Sequence, residues 1–184
     1  MSENLFIPEN VSKKEKYVSL LPQLKALTEG ETDMIANMAN ISAALHAVFG
    51  WLWVGFYVVR NEELVLGPFH GPIACTRIKF GKGVCGTAWK EKKSLLVPDV
   101  EKFPGHIACS SLSVSEIVIP VFDTAGNVTA VLDVDSEHFG VLDEVDVEYL
   151  QQIVQFVSWC VFNKNMLTGT DEPSGLFVPV FYMY

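Results

Sequence analysis

The hydrophobic period of this chain changes at Gly50, and that change restricts the fold more than any other feature. Before it, Met34, Ile35, Met38, Ile41, Leu45 and Val48 recur at spacings of three and four, which predicts a helix with one broad apolar face. After it, WLWVGFYVV is an unbroken apolar and β-branched run. Arg60-Asn61-Glu62 and then ELVLGPF follow, predicting two strands joined by a short polar turn. A chain with both periods side by side is neither a helical bundle nor an all-β sandwich.

Either side of this junction the pattern extends simply. Tyr17, Leu20, Leu21, Leu24 and Leu27 predict a first helix from about Lys13 to Gly30, with Pro22 a residue that could break or kink it. Thr32 or Asp33 caps the second helix, and Gly50 ends it. Further strands are predicted at Ala74 to Phe80, Ser94 to Val97, Ser115 to Phe122 and, after a DTAGN turn, in VTAVLDVDS. A last helix starts near Asp143 and carries Leu150, Ile153, Val154, Val157 and Val161. The expectation is an α+β domain of about six antiparallel strands, with N-terminal helices and a closing C-terminal helix packed on the sheet. Residues 1–165 form that domain. Residues 166–184 form a linker, LTGTDEPSG, and an apolar tail, LFVPVFYMY, that should pack against something.

Composition narrows the function. Twenty-two acidic against 13 basic residues give a net charge of −9, which repels nucleic-acid phosphates and anionic headgroups. Neither nucleic acid nor membrane is an expected partner, because no run reaches the roughly 18 to 20 apolar residues of a span. MSENLFIPEN lacks the basic flank and apolar core of a secretory signal, so a cytoplasmic location is expected. In that reducing setting four cysteines are catalytic, metal-binding or buried rather than permanently bridged.

Their surroundings differ. Cys109 follows a Pro-Gly-His turn and precedes two serines, so backbone N–H groups and His106 can favour its thiolate; it is either a nucleophile or a partly buried loop thiol. Cys85 sits in GKGVCG, where glycines allow close backbone approach and a helix begins; a structural loop is the competing reading. Cys75, beside Arg77 on a β-run, is a resolving thiol or a small apolar residue. Cys160 lies in an apolar stripe and reads as a buried helix residue. No CxxC or HxxxH pair is present, which argues against a metal centre.

Carboxylates form the second group. Glu116 opens SEIVIP, and Asp133 and Asp135, two apart in VLDVDS, share a strand face; they are solvated at a strand end, or buried with a cationic or protonic partner. Trp53 and Tyr57 also share a face, as core aromatics or as the wall of a site.

In this order, WVGFY, ACTRI, GKGVCG, VPDV, FPGHIAC, SEIVIPV and VLDVDS resemble the free methionine-(R)-sulfoxide reductases, a family built on the GAF fold. The resemblance runs from Tyr17 to Phe162. HGPIAC is shorter than the family's version and lacks its Gln, and Leu167 to Tyr184 lie outside the pattern. It implies that Cys109 is the catalytic cysteine, Cys75 the main resolving cysteine and Cys85 a third that takes part in recycling. It implies further that Trp53 and Tyr57 hold the substrate's S-methyl group and that Glu116, Asp133 and Asp135 surround its polar end.

The implied reaction is reduction of free methionine sulfoxide. The Cys109 thiolate attacks sulfur, Glu116 or Asp135 protonates the departing oxygen, and a sulfenic acid condenses with Cys75 to a disulfide that thioredoxin or a similar dithiol reopens. No metal or organic cofactor is called for, and a homodimer through the N-terminal helices is implied on family grounds. The competing class is a non-catalytic GAF module that binds a small ligand or senses redox state through the same thiols.

Overall fold

The computed structural model describes residues 4–107, 110–163 and 180–182, with 158–163 and 180–182 as backbone only. Cys109, the expected nucleophile, lies outside the described residues, as does most of the tail.

Four helices, α1 (Lys13–Thr28), α2 (Met34–Phe49), α3 (Gly83–Glu91) and α4 (Glu144–Asn163), accompany strands β1 (Trp53–Arg60), β2 (Glu63–His70), β3 (Arg77–Lys79), β4 (Ser94–Val97), β5 (Ser115–Phe122), β6 (Val128–Ser136) and β7 (Val180–Tyr182). The sheet order is β3-β2-β1-β6-β5-β4-β7. Six strands are antiparallel, as expected. The seventh comes from the tail and pairs in parallel with the β4 edge, Leu95 opposite Phe181.

Local chemistry explains most boundaries. Ser12 and Glu15 form a reciprocal capping box on α1, and Asp33 caps α2 by accepting from the Ile35 and Ala36 amides. Pro22 does not break α1. Its missing N–H and ring clash cost about 3 kcal/mol, which burial of Tyr17, Leu20 and Leu24 on the same helix offsets. Between β1 and β2, Asn61 and Glu62 both take positive φ, 50° and 63°, the hand that lets a two-residue turn follow the strand twist. The expected strand from Ala74 to Phe80 contracts to Arg77–Lys79, and Cys75 belongs to the preceding loop.

The sheet has two different faces. Val54, Phe56, Ile117, Ile119, Leu132 and Val134 pack with α1, α2 and α4 into the larger core. The alternate residues Trp53, Tyr57, Val118 and Val131 face the other way, toward α3 and Cys85. At the start of α4, Asp146 is fully buried and held by Lys13 Nζ at 2.5 Å and by the Tyr17 hydroxyl at 2.9 Å, fastening α1 to α4. Among the described residues no helix is long and apolar enough to cross a membrane.

Candidate functional site

The face opposite α1, α2 and α4 carries the carboxylates. Antiparallel registry sets Trp53 opposite Asp135 and Gly55 opposite Asp133 between β1 and β6, and Glu116 opposite Asp135 between β5 and β6. Three central strands therefore present Trp53, Tyr57, Glu116, Asp133 and Asp135 on one surface.

Two glycines allow other groups to reach it. A Cβ at Gly86 would lie 2.4 Å from the Lys79 carbonyl oxygen, so only glycine lets α3 settle against β3 and lower Cys85 onto the sheet. A Cβ at Gly55 would meet the Trp53 indole at 2.6 Å and Phe69 Cβ at 2.3 Å, so the indole folds over the bare backbone of its own strand. Trp53 stacks on Phe69 and on Tyr57, with centroids 5.3 and 5.8 Å apart.

Two small cavities meet at these residues. One, of about 30 Å³, is bounded by Lys82, Cys85, His106, Ser113 and Glu116; the other, of about 20 Å³, by Trp53, Tyr57, Ala74, Ser110 and Ser113. Asp133 and Asp135 line both, so a single ligand can lie with one end in the aromatic compartment and the other among the carboxylates. Each compartment holds only a few atoms.

The electrostatics are unusual. Glu116 and Asp133 are 6% and 7% exposed. Burial, then the charges of Asp133 and Asp135, push the Glu116 carboxyl well above its ordinary range. Burial and Asp135 do the same to Asp133. Asp135 is pushed up to about 6 by burial, against the opposing hydrogen bond from Ser113. Cys85 is 3% exposed with Sγ 3.8 Å from Glu116 Oε1, and burial, then Asp133 and Glu116, push its thiol well above the usual range. Cys85 is therefore a neutral thiol at neutral pH and a poor first nucleophile. Burial lowers the pKa of His106, so any help the imidazole gives a thiolate is hydrogen bonding, not charge.

Two buried polar atoms here lack a protein partner, Trp53 Nε1 and Asp133 Oδ1. A donor and an acceptor left open on the walls of one cavity mark positions where a ligand completes the hydrogen bonding. Cys75 stands at the edge of the aromatic compartment, half-buried and disulfide-bonded, its carbonyl accepting from the Tyr57 hydroxyl. Cys85 is a free thiol.

The structure thus gathers Trp53, Tyr57, Cys85, Glu116, Asp133 and Asp135 at one site, with Cys75 on its rim. The solvated-strand-end reading is excluded for Asp133 by its burial, and Asp135 beside it is half-buried. Ser113 falls in no informative motif, and Lys82, although it stands in GKGVCG, was not legible as a site residue because that motif is read for its glycines and Cys85. Cys85, Glu116 and Asp133 also bring potential metal-ligand atoms within 4.8 Å of one another. The argument from short spacings missed this cluster because its members come from α3, β5 and β6.

Residues 28–158 match the model of the GAF domain family. The chain is 58% identical over 158 residues to GAF domain-containing protein A of Dictyostelium discoideum, covering 85% of this chain and 99% of that relative. It is 40% identical over 162 residues to the free methionine-R-sulfoxide reductase of Saccharomyces cerevisiae, covering 83% and 90% respectively. The crystal structure of the free methionine-R-sulfoxide reductase of Neisseria meningitidis in complex with its substrate superposes with a TM-score of 0.82. It is 48% identical and covers 85% of this chain and 94% of that one.

Proposed function

Because the chain belongs to the GAF domain family and, within it, to the free methionine-R-sulfoxide reductases, we propose that it reduces free L-methionine-(R)-sulfoxide to methionine through a cysteine relay. The observation that carries this reading is the pair of small cavities that share Ser113, Asp133 and Asp135, the aromatic one suiting an S-methyl group and the carboxylate one an ammonium and a departing oxygen.

Trp53 and Tyr57 enclose the methyl group, and Asp133, through its open Oδ1, receives the ammonium. The substrate carboxylate faces Lys82 and the first amides of α3, which have no side-chain cap. Both charged ends are used, so a methionine sulfoxide within a peptide, lacking free ends, is excluded.

In the chemical step the Cys109 thiolate attacks the sulfoxide sulfur while Glu116 or Asp135 delivers a proton to its oxygen. Burial and the like charges of Asp133 and Asp135 keep Glu116 protonated near neutral pH, whereas burial raises Asp135 only to about 6, so it is the donor on the acid side of neutrality. The substrate's sulfur–oxygen bond breaks as the hydroxyl passes to the Cys109 sulfur, so methionine leaves with its thioether intact and a Cys109 sulfenic acid remains. Cys75 thiol then displaces water from it, forming a Cys75–Cys109 disulfide, and an external dithiol of the thioredoxin type reduces that bond. The disulfide-bonded state of Cys75 supports this recycling role. Cys85, held neutral behind Glu116, serves recycling rather than attack. The reading includes a homodimer, which light scattering showing a strict monomer would remove.

The deciding experiment supplies racemic free methionine sulfoxide with dithiothreitol or thioredoxin, measures methionine, and resolves the remaining enantiomers. Selective loss of the R form with wild type, and none with Cys109→Ser, is the expected result. Ligand binding without methionine formation would leave a sensor or binding module instead.

A further inference from the structure

The carboxylate end of the cavity holds one soft and two hard donors. Cys85 Sγ, a Glu116 oxygen and an Asp133 oxygen lie within 4.8 Å of one another, the Sγ to Oε1 distance being 3.8 Å. Ligand atoms around a tetrahedral ion bound at about 2.0 to 2.3 Å stand roughly 3.5 Å apart, so small side-chain adjustments would close this set on a common centre. Sulfur with carboxylate oxygen selects zinc or cadmium over magnesium or calcium.

A second, separate observation points to a ligand at this place. Asp133 is only 7% exposed, it lines the cavity of about 30 Å³, and its Oδ1 has no partner in the protein. A buried carboxylate oxygen open to an enclosed space is completed by a donor or a cation. Asp135 lines the same cavity, on the same strand face, and can supply a fourth ligand.

We propose that Cys85, Glu116 and Asp133 form a binding site for one thiophilic divalent cation, and that the bound cation excludes substrate by occupying the place of its ammonium. The exclusion rests on the reductase reading above; the cation site does not. Zinc is accordingly an inhibitor of this chain, not a cofactor.

The test titrates the full chain, in its disulfide form, with cadmium chloride, following the ultraviolet cadmium–thiolate charge-transfer band. With Cys75 bonded, Cys85 is the free thiol among the described residues. One equivalent with a thiolate band is expected. Cys85→Ser should abolish the band and weaken binding about 100-fold, whereas Glu116→Gln, which keeps the sulfur, should retain the band and weaken binding about 10-fold. Zinc should inhibit methionine formation competitively with sulfoxide.

Cadmium binding with no thiolate band, or a band that persists in Cys85→Ser, overturns the site. Should Cys85→Ser not fold, an unchanged affinity in Glu116→Gln overturns it instead. Binding that methionine sulfoxide does not displace overturns the exclusion. A protein that binds cadmium through Cys85 but forms no methionine keeps the site and loses the reductase reading; one that forms methionine without binding cadmium does the reverse.

Discussion

The hydroxyl of Tyr57 donates to the carbonyl oxygen of Cys75 at 3.0 Å, joining the central strand β1 to the loop that carries the disulfide-bonded cysteine. Burial and the neighbouring Asp133 raise the phenol's pKa, so the group remains a donor throughout the physiological range. One side chain therefore does two things: its ring walls the aromatic compartment and its oxygen fixes the backbone beside a disulfide-bonded sulfur.

Tyr57→Phe separates those roles. The ring stays and the donor goes, so KM for methionine sulfoxide should change little, while turnover limited by disulfide recycling should fall several-fold. Stability should drop by about 1 kcal/mol. Steady-state kinetics at saturating and limiting reductant, with urea unfolding, checks both. A rise in KM alone would make Tyr57 a substrate contact only.

Glu116→Gln should leave the fold intact and lower kcat/KM by about 100-fold or more, the usual range for loss of a general acid. An amide of the same shape carries no charge into a site where burial and two aspartates oppose ionisation, so thermal stability should be equal or higher. Calorimetry beside turnover measures the trade. Unchanged turnover would transfer the acid role to Asp135.

Asp135 gives a pH dependence with a definite sign. Its folded pKa of about 6 stands above the ordinary aspartate value of 3.8, so between these values the folded chain binds more protons than the unfolded one. Stability therefore declines as pH rises through that window and levels off above it. Urea unfolding of wild type and Asp135→Asn from pH 4 to 7 should show this slope in wild type and a reduced one in the variant. Equal slopes would mean that the carboxyl titrates normally.

Gly55→Ala should displace the Trp53 indole, since the new methyl would lie 2.6 Å from the ring and 2.3 Å from Phe69 Cβ. A loss of about 1 to 3 kcal/mol, a shift in tryptophan fluorescence and a raised KM for methionine sulfoxide are expected. Wild-type KM with a displaced indole would show that the ring does not hold substrate.

Lys13→Met serves as a remote control. It leaves Asp146 buried without its ammonium partner and should cost about 3 kcal/mol, with kcat/KM measured below the melting transition unchanged.

How much of this was legible in the chain depends on whether short-range periodicity encodes it. The two-residue alternation in WVGFY and VLDVDS placed Trp53 with Tyr57 and Asp133 with Asp135 on single faces, and the structure sets those faces side by side. Strand order is not a local property, so nothing in SEIVIPV alone put Glu116 opposite Asp135. Whether Pro22 would interrupt the first helix was open, because its local cost is visible in sequence and the tertiary burial that offsets it is not. Ala74 to Phe80 looked like a longer strand because its apolar residues suit one, yet only Arg77–Lys79 find partners on β2. The cysteines were found by motif; that Cys85 is a buried neutral thiol required its carboxylate neighbours, Glu116 and Asp133, which lie 31 and 48 positions further along the chain.

The two-sided sheet has a further consequence, for folding itself. On β6 the carboxylates alternate with Leu132 and Val134, which belong to the helical core. A one-residue slip of β6 would turn Asp133 and Asp135 into that core and Leu132 and Val134 toward the cavity. Two unpaired charges buried among leucines and valines would cost far more than the slip could recover. The acidic pair thus acts as a proofreading mark on strand assembly: a chain that has reached its native registry has, by the same event, assembled its site.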